Sequence, residues 1–176
     1  RDRSVSRGLG DVYKRQMLRC LMRKNIMKSE ITFLTNEDIA RATALYIDVF
    51  SKAPWCEQND YDDIFRYITR LLEMNTNRCY VYKKSDHIIA LALGYVKPWH
   101  LGVEYQLDNF FVDANYQGQG VGTELLASIK NDLIQNDIPA IILETEMHTP
   151  AEKFYRRNGF EGLAQQRSLA LTCQLI

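Results

Sequence analysis

From residue 29 onward the spacing of apolar positions changes period several times, and each change marks an element. Ile31-Thr32-Phe33-Leu34 reads as a short strand. Thr35 follows as a helix N-cap with Asp38 three residues on, a capping-box variant. Ile39, Ala42, Leu45, Tyr46, Val49 and Phe50 then fall on one helical face, and Pro54 ends that helix. Trp55-Cys56-Glu57-Gln58-Asn59 is a polar connection, and Asp60 starts a second helix whose buried stripe is Ile64, Ile68, Leu71 and Leu72. From Arg78 the period drops to two. Cys79 to Tyr82 is a strand, Lys83 to His87 a turn, and Ile88 to Tyr95 a buried strand. Pro98-Trp99-His100-Leu101-Gly102 is expected as a loop before the central strand, Val103 to Asp113.

Past Asp113 the chain runs through Gly118, Gly120 and Gly122 into a helix with Val121, Leu125, Leu126 and Ile129 at spacings near 3.6. That helix should reach about Gln135, where Asn136-Asp137-Ile138-Pro139 stops it. Ala140 to Thr145, closing on Glu144 and Thr145, is a short apolar strand expected to be central and parallel. Pro150 suits the first position of a last helix that stops at Asn158-Gly159, and a strand or hairpin is expected over about Phe160 to Cys173. Two helices precede the main sheet and helices alternate with strands after it, which predicts an α/β (α+β) fold built on one mixed sheet.

Totals change this picture little, except in charge. A length of 176 residues suits one domain with a real core, and no apolar run approaches a membrane span. Cys20, Cys56, Cys79 and Cys173 form no C-x-x-C pair, so free thiols, no metal and a cytoplasmic setting are expected. The formal net charge is zero, yet residues 29–176 carry 13 basic and 20 acidic side chains, a net of −7. An acidic domain argues against a nucleic-acid partner. Residues 1–28 hold the compensating basic charge. Residues 1–16 lack apolar periodicity, and GDVYKRQ resembles a translated sequencing adapter. Residues 1–28 are therefore expected to be a non-native or disordered extension, with Met27 as the natural start, and 29–176 a single domain.

The strand, glycine turn and helix around Gly118–Gly122 carry the first chemistry. Glycines let backbone N–H groups converge on an anion, and the helix's first unpaired N–H groups and positive dipole end point the same way. No Gly-Lys-Ser/Thr follows, so the turn is not a P-loop, and Gly122 comes one residue too early for G-x-G-x-x-G.

Gln117-Gly118-Gln119-Gly120-Val121-Gly122 resembles the Q/R-x-x-G-x-G/A signature of the GNAT superfamily of N-acetyltransferases. Pro150-Ala151-Glu152-Lys153-Phe154-Tyr155-Arg156-Arg157-Asn158-Gly159-Phe160 resembles that family's later A-x-x-F/L-Y-x-x-x-G-F motif. The resemblance covers the chain from about residue 29 and implies the GNAT fold, with a central splayed mixed sheet flanked by helices. It implies acetyl-CoA, its pyrophosphate on the backbone of Gln117 to Gly122 with Thr123, and its pantetheine along the backbone of Phe111, Val112 and Asp113. Ala151 and Tyr155 of the second motif are also expected against the cofactor. His148 stands where the family often has a CoA-contacting asparagine, a departure from the pattern.

Acetyl transfer to an amine needs the donor held, a proton removed from the amine and the leaving thiolate protonated. Tyr155 matches the family's acid. Asp108 is the first candidate base, with Glu104 second; Glu144 is expected to face the cofactor side or a neighbouring strand. The family usually builds the acceptor pocket from the helix-to-helix connection and the loop after the third strand, here Trp55 to Asp63 and Lys97 to Tyr105, which puts Trp55, Glu57, Tyr61, Trp99 and Glu104 at the acceptor, with Asp108 on the central strand beside them. Carboxylates and aromatic faces suit a cationic amine, although Asp60, Asp62 and Asp63 are also what a helix start favours. The Pro54-Trp55 turn and Asp108 look like features of some aminoglycoside N-acetyltransferases. The expectation is a monomeric or homodimeric enzyme acting on an aminoglycoside- or polyamine-like amine. A protein N-terminus or lysine as acceptor, and a non-catalytic acetyl-CoA sensor, are the alternatives.

Overall fold

The computed structural model describes residues 29–163, in two compact units split between Leu143 and Glu144. The expectations for residues 1–28, and for a hairpin beyond Leu163, lie outside the described residues.

The first unit is one five-stranded sheet in the order β1-β2-β3-β4-β5. Its strands are β1 (Ser29–Phe33), β2 (Tyr80–Lys84), β3 (His87–Trp99), β4 (Gly102–Val112) and β5 (Ile141–Ile142). Strands β1 to β4 pair antiparallel, and β5 joins β4 in parallel. Three helices pack on the sheet: α1 (Ile39–Phe50), α2 (Tyr61–Glu73) and α3 (Val121–Gln135). Of the predicted stripes, Ile39, Ala42, Leu45 and Val49 on α1, Ile64, Ile68 and Leu71 on α2, and Val121, Leu125, Leu126 and Ile129 on α3 are buried, while Tyr46, Phe50 and Leu72 are half-buried and pack against the core.

Two differences from the sequence reading bear on function. The expected Pro98–Gly102 loop is strand almost throughout, since β3 runs to Trp99 and β4 starts at Gly102, leaving His100 and Leu101 as the turn. Pro98 is tolerated because β2 pairs with β3 only as far as Ala92. Val96 N–H points away from β4, to Thr76 O (2.8 Å), so alternation puts the missing N–H of Pro98 on that same side. The second difference is β5, which is two residues rather than six and, among the described residues, pairs only with β4.

The start of α1 rests on a buried ion cluster. Asp38, with its side chain 1% exposed, receives Arg41 Nη2 at 2.6 Å and Lys83 Nζ at 2.8 Å, and Thr35 Oγ1 donates to it at 3.1 Å. Burial works against its charge, but the Lys83 and Thr35 bonds and the Lys83 charge hold its carboxyl below the usual range. Asp38→Ala should cost about 2–3 kcal/mol at pH 7, less than the ~3–5 of a fully buried pair, because the partly exposed cations can rehydrate. A carboxyl held low in the folded state contributes above its unfolded value near ~4 and loses that contribution as acid protonates it. Urea unfolding at pH 7 and at pH 3 should therefore give a smaller difference between the two proteins at the lower pH.

The second unit, described over 144–163, holds α4 (Pro150–Arg157). Thr149 Oγ1 caps it by accepting from Glu152 N–H (3.2 Å), and Pro150 takes the first helical position as expected. Gly159, at φ +91°, follows the helix, and Phe160 N–H closes back onto Tyr155 O (3.1 Å).

Candidate functional site

The glycine turn leaves β4 at Asp113, whose carboxylate accepts Asn115 N–H (2.8 Å) and Asn115 Nδ2 (3.0 Å) to shape a short 3-10 turn, Ala114–Tyr116. Gln117 Nε2 then donates to Val112 O (2.9 Å) and Gln119 Nε2 to Asn115 O (2.7 Å). Both glutamine side chains build the turn. Gly118 (φ +70°) and Gly120 (φ +85°) take backbone conformations that other residues resist. Open space lies where their Cβ atoms would stand. Gly120 is the N-cap of α3, and no side chain satisfies that end. The first intrahelical bond is Glu124 N–H to Gly120 O, so the amides of Val121, Gly122 and Thr123 face outward with the positive end of the helix. A bound diphosphate fits this end.

Beside the turn, the sheet opens. Tyr105 N–H bonds to Ala140 O (2.8 Å), and β4 and β5 pair at Tyr105–Ile141 and Gln106–Ile142. Beyond Gln106, β4 continues to Val112 without β5 alongside. Asp113 N–H is turned to β3, bonding Ile89 O (2.9 Å), so alternation turns the backbone of Val112 the other way, into the opening. Of the three residues whose backbone was expected there, Val112 is the one so oriented; the amides of Phe111 and Asp113 face β3.

A bulge in β4 decides what faces α1 and α2. Leu93 pairs with Asn109 and Gly94 with Leu107, which leaves Asp108 as the extra residue. Gly94 is needed at this crossing, because a Cβ there would meet Gln106 O at 2.4 Å and the Tyr105 ring hydroxyl at 2.6 Å. Strict alternation would send Asp108 and Phe111 to opposite faces. The bulge puts both on one: Tyr67 of α2 hydrogen-bonds Asp108, and Phe111 packs edge-on against Tyr46 and Phe50 of α1 (5.4 Å each). Asn109 Nδ2 donates to Asp108 O (2.7 Å), while its Oδ1 is buried without a partner.

Around Asp108 the described residues form an acidic, aromatic surface. Trp55, 39% exposed, stands edge-on to Phe50 (5.4 Å). Glu57 is fixed by its N–H to Phe50 O (2.8 Å), and its carboxylate accepts Asn59 Nδ2 (2.8 Å). Burial, then the charges of Glu57 and Asp108, push the Tyr46 phenol up to about 12. Burial and the bond to Asp108 hold the Tyr67 phenol well above its ordinary value. Among the described residues no lysine or arginine pairs with Glu57 or Asp108.

Other predicted residues are placed apart from this surface. Glu104 is paired with Lys97 (3.4 Å), and four strand residues, about 13 Å, separate it from Asp108. Trp99 lies at the hairpin tip against His100 (5.0 Å), its strand partner Gly102 about 20 Å along β4 from Asp108. Tyr61 stacks on Phe65 (6.1 Å) at the exposed start of α2. Asp60 is that helix's N-cap, accepting from Asp62 and Asp63 N–H, and Asp63 pairs with Arg66, so those acids serve the helix.

In the second unit, burial raises the Tyr155 phenol to about 12, and its ring meets those of Phe154 and Phe160 (5.4 Å each). His148, at φ +64°, gives its N–H to Glu152 Oε2 (2.6 Å) and is exposed. Ala151 is half-buried in the first turn of α4. Glu144 is exposed.

The sequence places Tyr46 on the stripe of α1 and gives Tyr67 no role, yet Tyr67 bonds Asp108 and Tyr46 packs against Tyr67 within reach of its charge. No spacing rule could find them, because the bulge that brings Asp108 to that face has no signature in β4 alone.

A family model described as the acetyltransferase (GNAT) family matches residues 39–160. Among solved structures the fold is similar to an aminoglycoside acetyltransferase from an uncultured soil metagenomic sample, in complex with sisomicin. That match has 18% identity, covers 87% of this chain and 99% of that one, and has a TM-score of 0.62. The aminoglycoside N-acetyltransferase AAC(6')-Iy in complex with CoA matches at 14% identity over 85% and 97%, TM-score 0.66. The ribosomal-protein-alanine N-acetyltransferase of Brucella melitensis biovar Abortus matches at 14% over 83% and 99%, TM-score 0.66. At these identities the likeness is one of fold.

Proposed function

The chain belongs to the acetyltransferase (GNAT) family, and on that premise we propose that this acetyl-CoA-dependent N-acetyltransferase acts on the primary amine of a small cationic acceptor, aminoglycoside- or polyamine-like. The observation that carries this reading is the pair of carboxylates, Glu57 and Asp108, that have no cationic partner among the described residues and lie beside the aromatic cluster of Tyr46, Phe50, Trp55 and Phe111. Ammonium groups are attracted both by carboxylates and by aromatic faces.

Acetyl-CoA, when bound, supplies an activated acyl carbon and a thiolate leaving group. The amides of Val121, Gly122 and Thr123 would hold its diphosphate, and the Val112 backbone would pair with its pantetheine. Asp108 takes the proton of the incoming ammonium, directly or through water, so that the nitrogen lone pair is free to attack. Tyr155 Oη would give the leaving sulfur its proton as the C–S bond breaks and, through solvent, regain one from the nitrogen that has bonded to the acyl carbon. A phenol raised to about 12 stays protonated across the working pH range, so no alkaline loss of rate below about pH 10 should trace to it. Tyr155→Phe should lower kcat by about tenfold or more with acetyl-CoA affinity unchanged; isothermal titration beside initial rates checks this, and an unchanged kcat removes Tyr155 from the mechanism.

The reading as a whole is tested by thiol release from acetyl-CoA with kanamycin, spermidine, L-lysine and short peptides. Turnover confined to the polyamines or aminoglycosides supports it. Turnover of peptides alone favours a protein acceptor, and acetyl-CoA binding without any turnover favours a sensor.

A further inference from the structure

Asp108 is held by a neutral hydroxyl, as Glu124 is by Tyr82 Oη (2.8 Å), where seven other described carboxylates are held by cations. Asp38, Asp48, Asp63, Asp86, Asp132, Glu104 and Glu152 each have a lysine or arginine partner. Asp108 has a neutral one. The Tyr67 hydroxyl donates to its Oδ2, and among the described residues it is the carboxylate's one hydrogen-bond donor. The two side chains come from separate elements, mid-α2 and the β4 bulge, 41 residues apart. Tyr67 is in turn lodged edge-on against Tyr46 (6.3 Å), which packs on Phe111.

We infer that Tyr67 is a positioning residue: by holding Oδ2 of Asp108 it stops the exposed carboxylate from rotating and commits Oδ1 to the acceptor amine. A lysine or arginine in its place would bind the same carboxylate while repelling a cationic acceptor; a neutral phenol orients it and leaves its attraction for ammonium intact. The groups facing Asp108 agree with this. Tyr46 from α1, Tyr67 from α2, Cys79 beside β2 and Tyr105 within β4 all sense its charge, and each is held toward its neutral form by burial. Glu57, the other carboxylate on this surface, carries the same sign, and among the described residues no lysine or arginine pairs with Asp108. The inference rests on Asp108 being the base.

The test is a double-mutant cycle on the full chain, with spermidine and kanamycin as acceptors, joined to a readout that needs no turnover. Tyr67→Phe should lower kcat about tenfold, the effect of one lost hydrogen bond to a charged group, with KM for acetyl-CoA within about twofold. In the Asp108→Asn background the same change should cost nothing further, because Tyr67 acts only through that carboxylate. Equal losses in both backgrounds would mean a general packing role and overturn the proposal. With 13Cζ-labelled tyrosine, the resonance absent from Tyr67→Phe should move in Asp108→Asn as the phenol's acceptor changes from anion to amide. A resonance that stays put overturns the proposal independently. If the wild type is silent toward every amine, the acceptor reading fails, and the tyrosine resonance alone then decides whether Tyr67 holds Asp108.

Discussion

Asp108→Asn is expected to lower kcat/KM for amine acetylation by about 10²–10⁴-fold, the usual contribution of a positioned general base. Asparagine keeps the shape and can still accept the Tyr67 bond, so the fold and the hydrophobic contacts of Phe111 should survive. What is lost is the ability to take a proton and the charge that draws an ammonium group. The loss should therefore fall on kcat as well as on the amine KM, while acetyl-CoA binding changes by less than about twofold. Initial rates at saturating acetyl-CoA, with thermal unfolding as the control, separate these terms. A variant that folds and keeps its wild-type rate would remove Asp108 from the chemistry. Glu104, tied to Lys97 and about 13 Å along the strand, would then be a poor replacement.

Gly120→Glu should raise the Kd for acetyl-CoA by at least about 100-fold, roughly 2.7 kcal/mol. Two effects combine. A residue with a Cβ resists φ +85°, at a cost of about 1–2 kcal/mol, and the added carboxylate meets the diphosphate at the open amides of Val121 to Thr123. The helix itself gains from an acid at its N-terminus, and its stripe of Leu125, Leu126, Ile129 and Leu133 stays buried, so α3 should persist. Gly120→Ala carries the backbone cost without the charge and should lose affinity by only about three- to tenfold. Titration calorimetry on both variants checks the order. If the glutamate variant bound acetyl-CoA as tightly as the alanine one, the diphosphate would not lie at this helix end.

The elements of this fold were legible wherever one strong local rule governed them. The 3.6 spacing of Ile64, Ile68 and Leu71, the Asp60 cap, the glycines before α3 and the Pro150 and Gly159 punctuation of α4 each act within one turn of chain. Pro98 was misleading because its effect depends on a neighbour: a proline interrupts a strand only where its missing N–H is needed, and here β2 has already ended.

For the candidate site the division is sharper. The sequence by itself showed the glycine turn running into the open N-terminus of α3, and its resemblance to the family singled out Asp108 and Tyr155 as candidates, since both readings rest on residue type and on spacing along the chain. Tertiary structure alone decided that Asp108 shares a face with Phe111, because a single extra residue in β4 reverses the alternation on which face assignment depends. It alone brought Tyr67 to that carboxylate and put Tyr46 within reach of the charges of both Asp108 and Glu57, and it set Glu104 and Trp99 apart from them. The physical reason is range. Caps, turns and stripes are settled by residues three or four apart, whereas the partner of a carboxylate on a bulge is chosen by how two helices seat on a sheet, with 41 residues of chain between donor and acceptor.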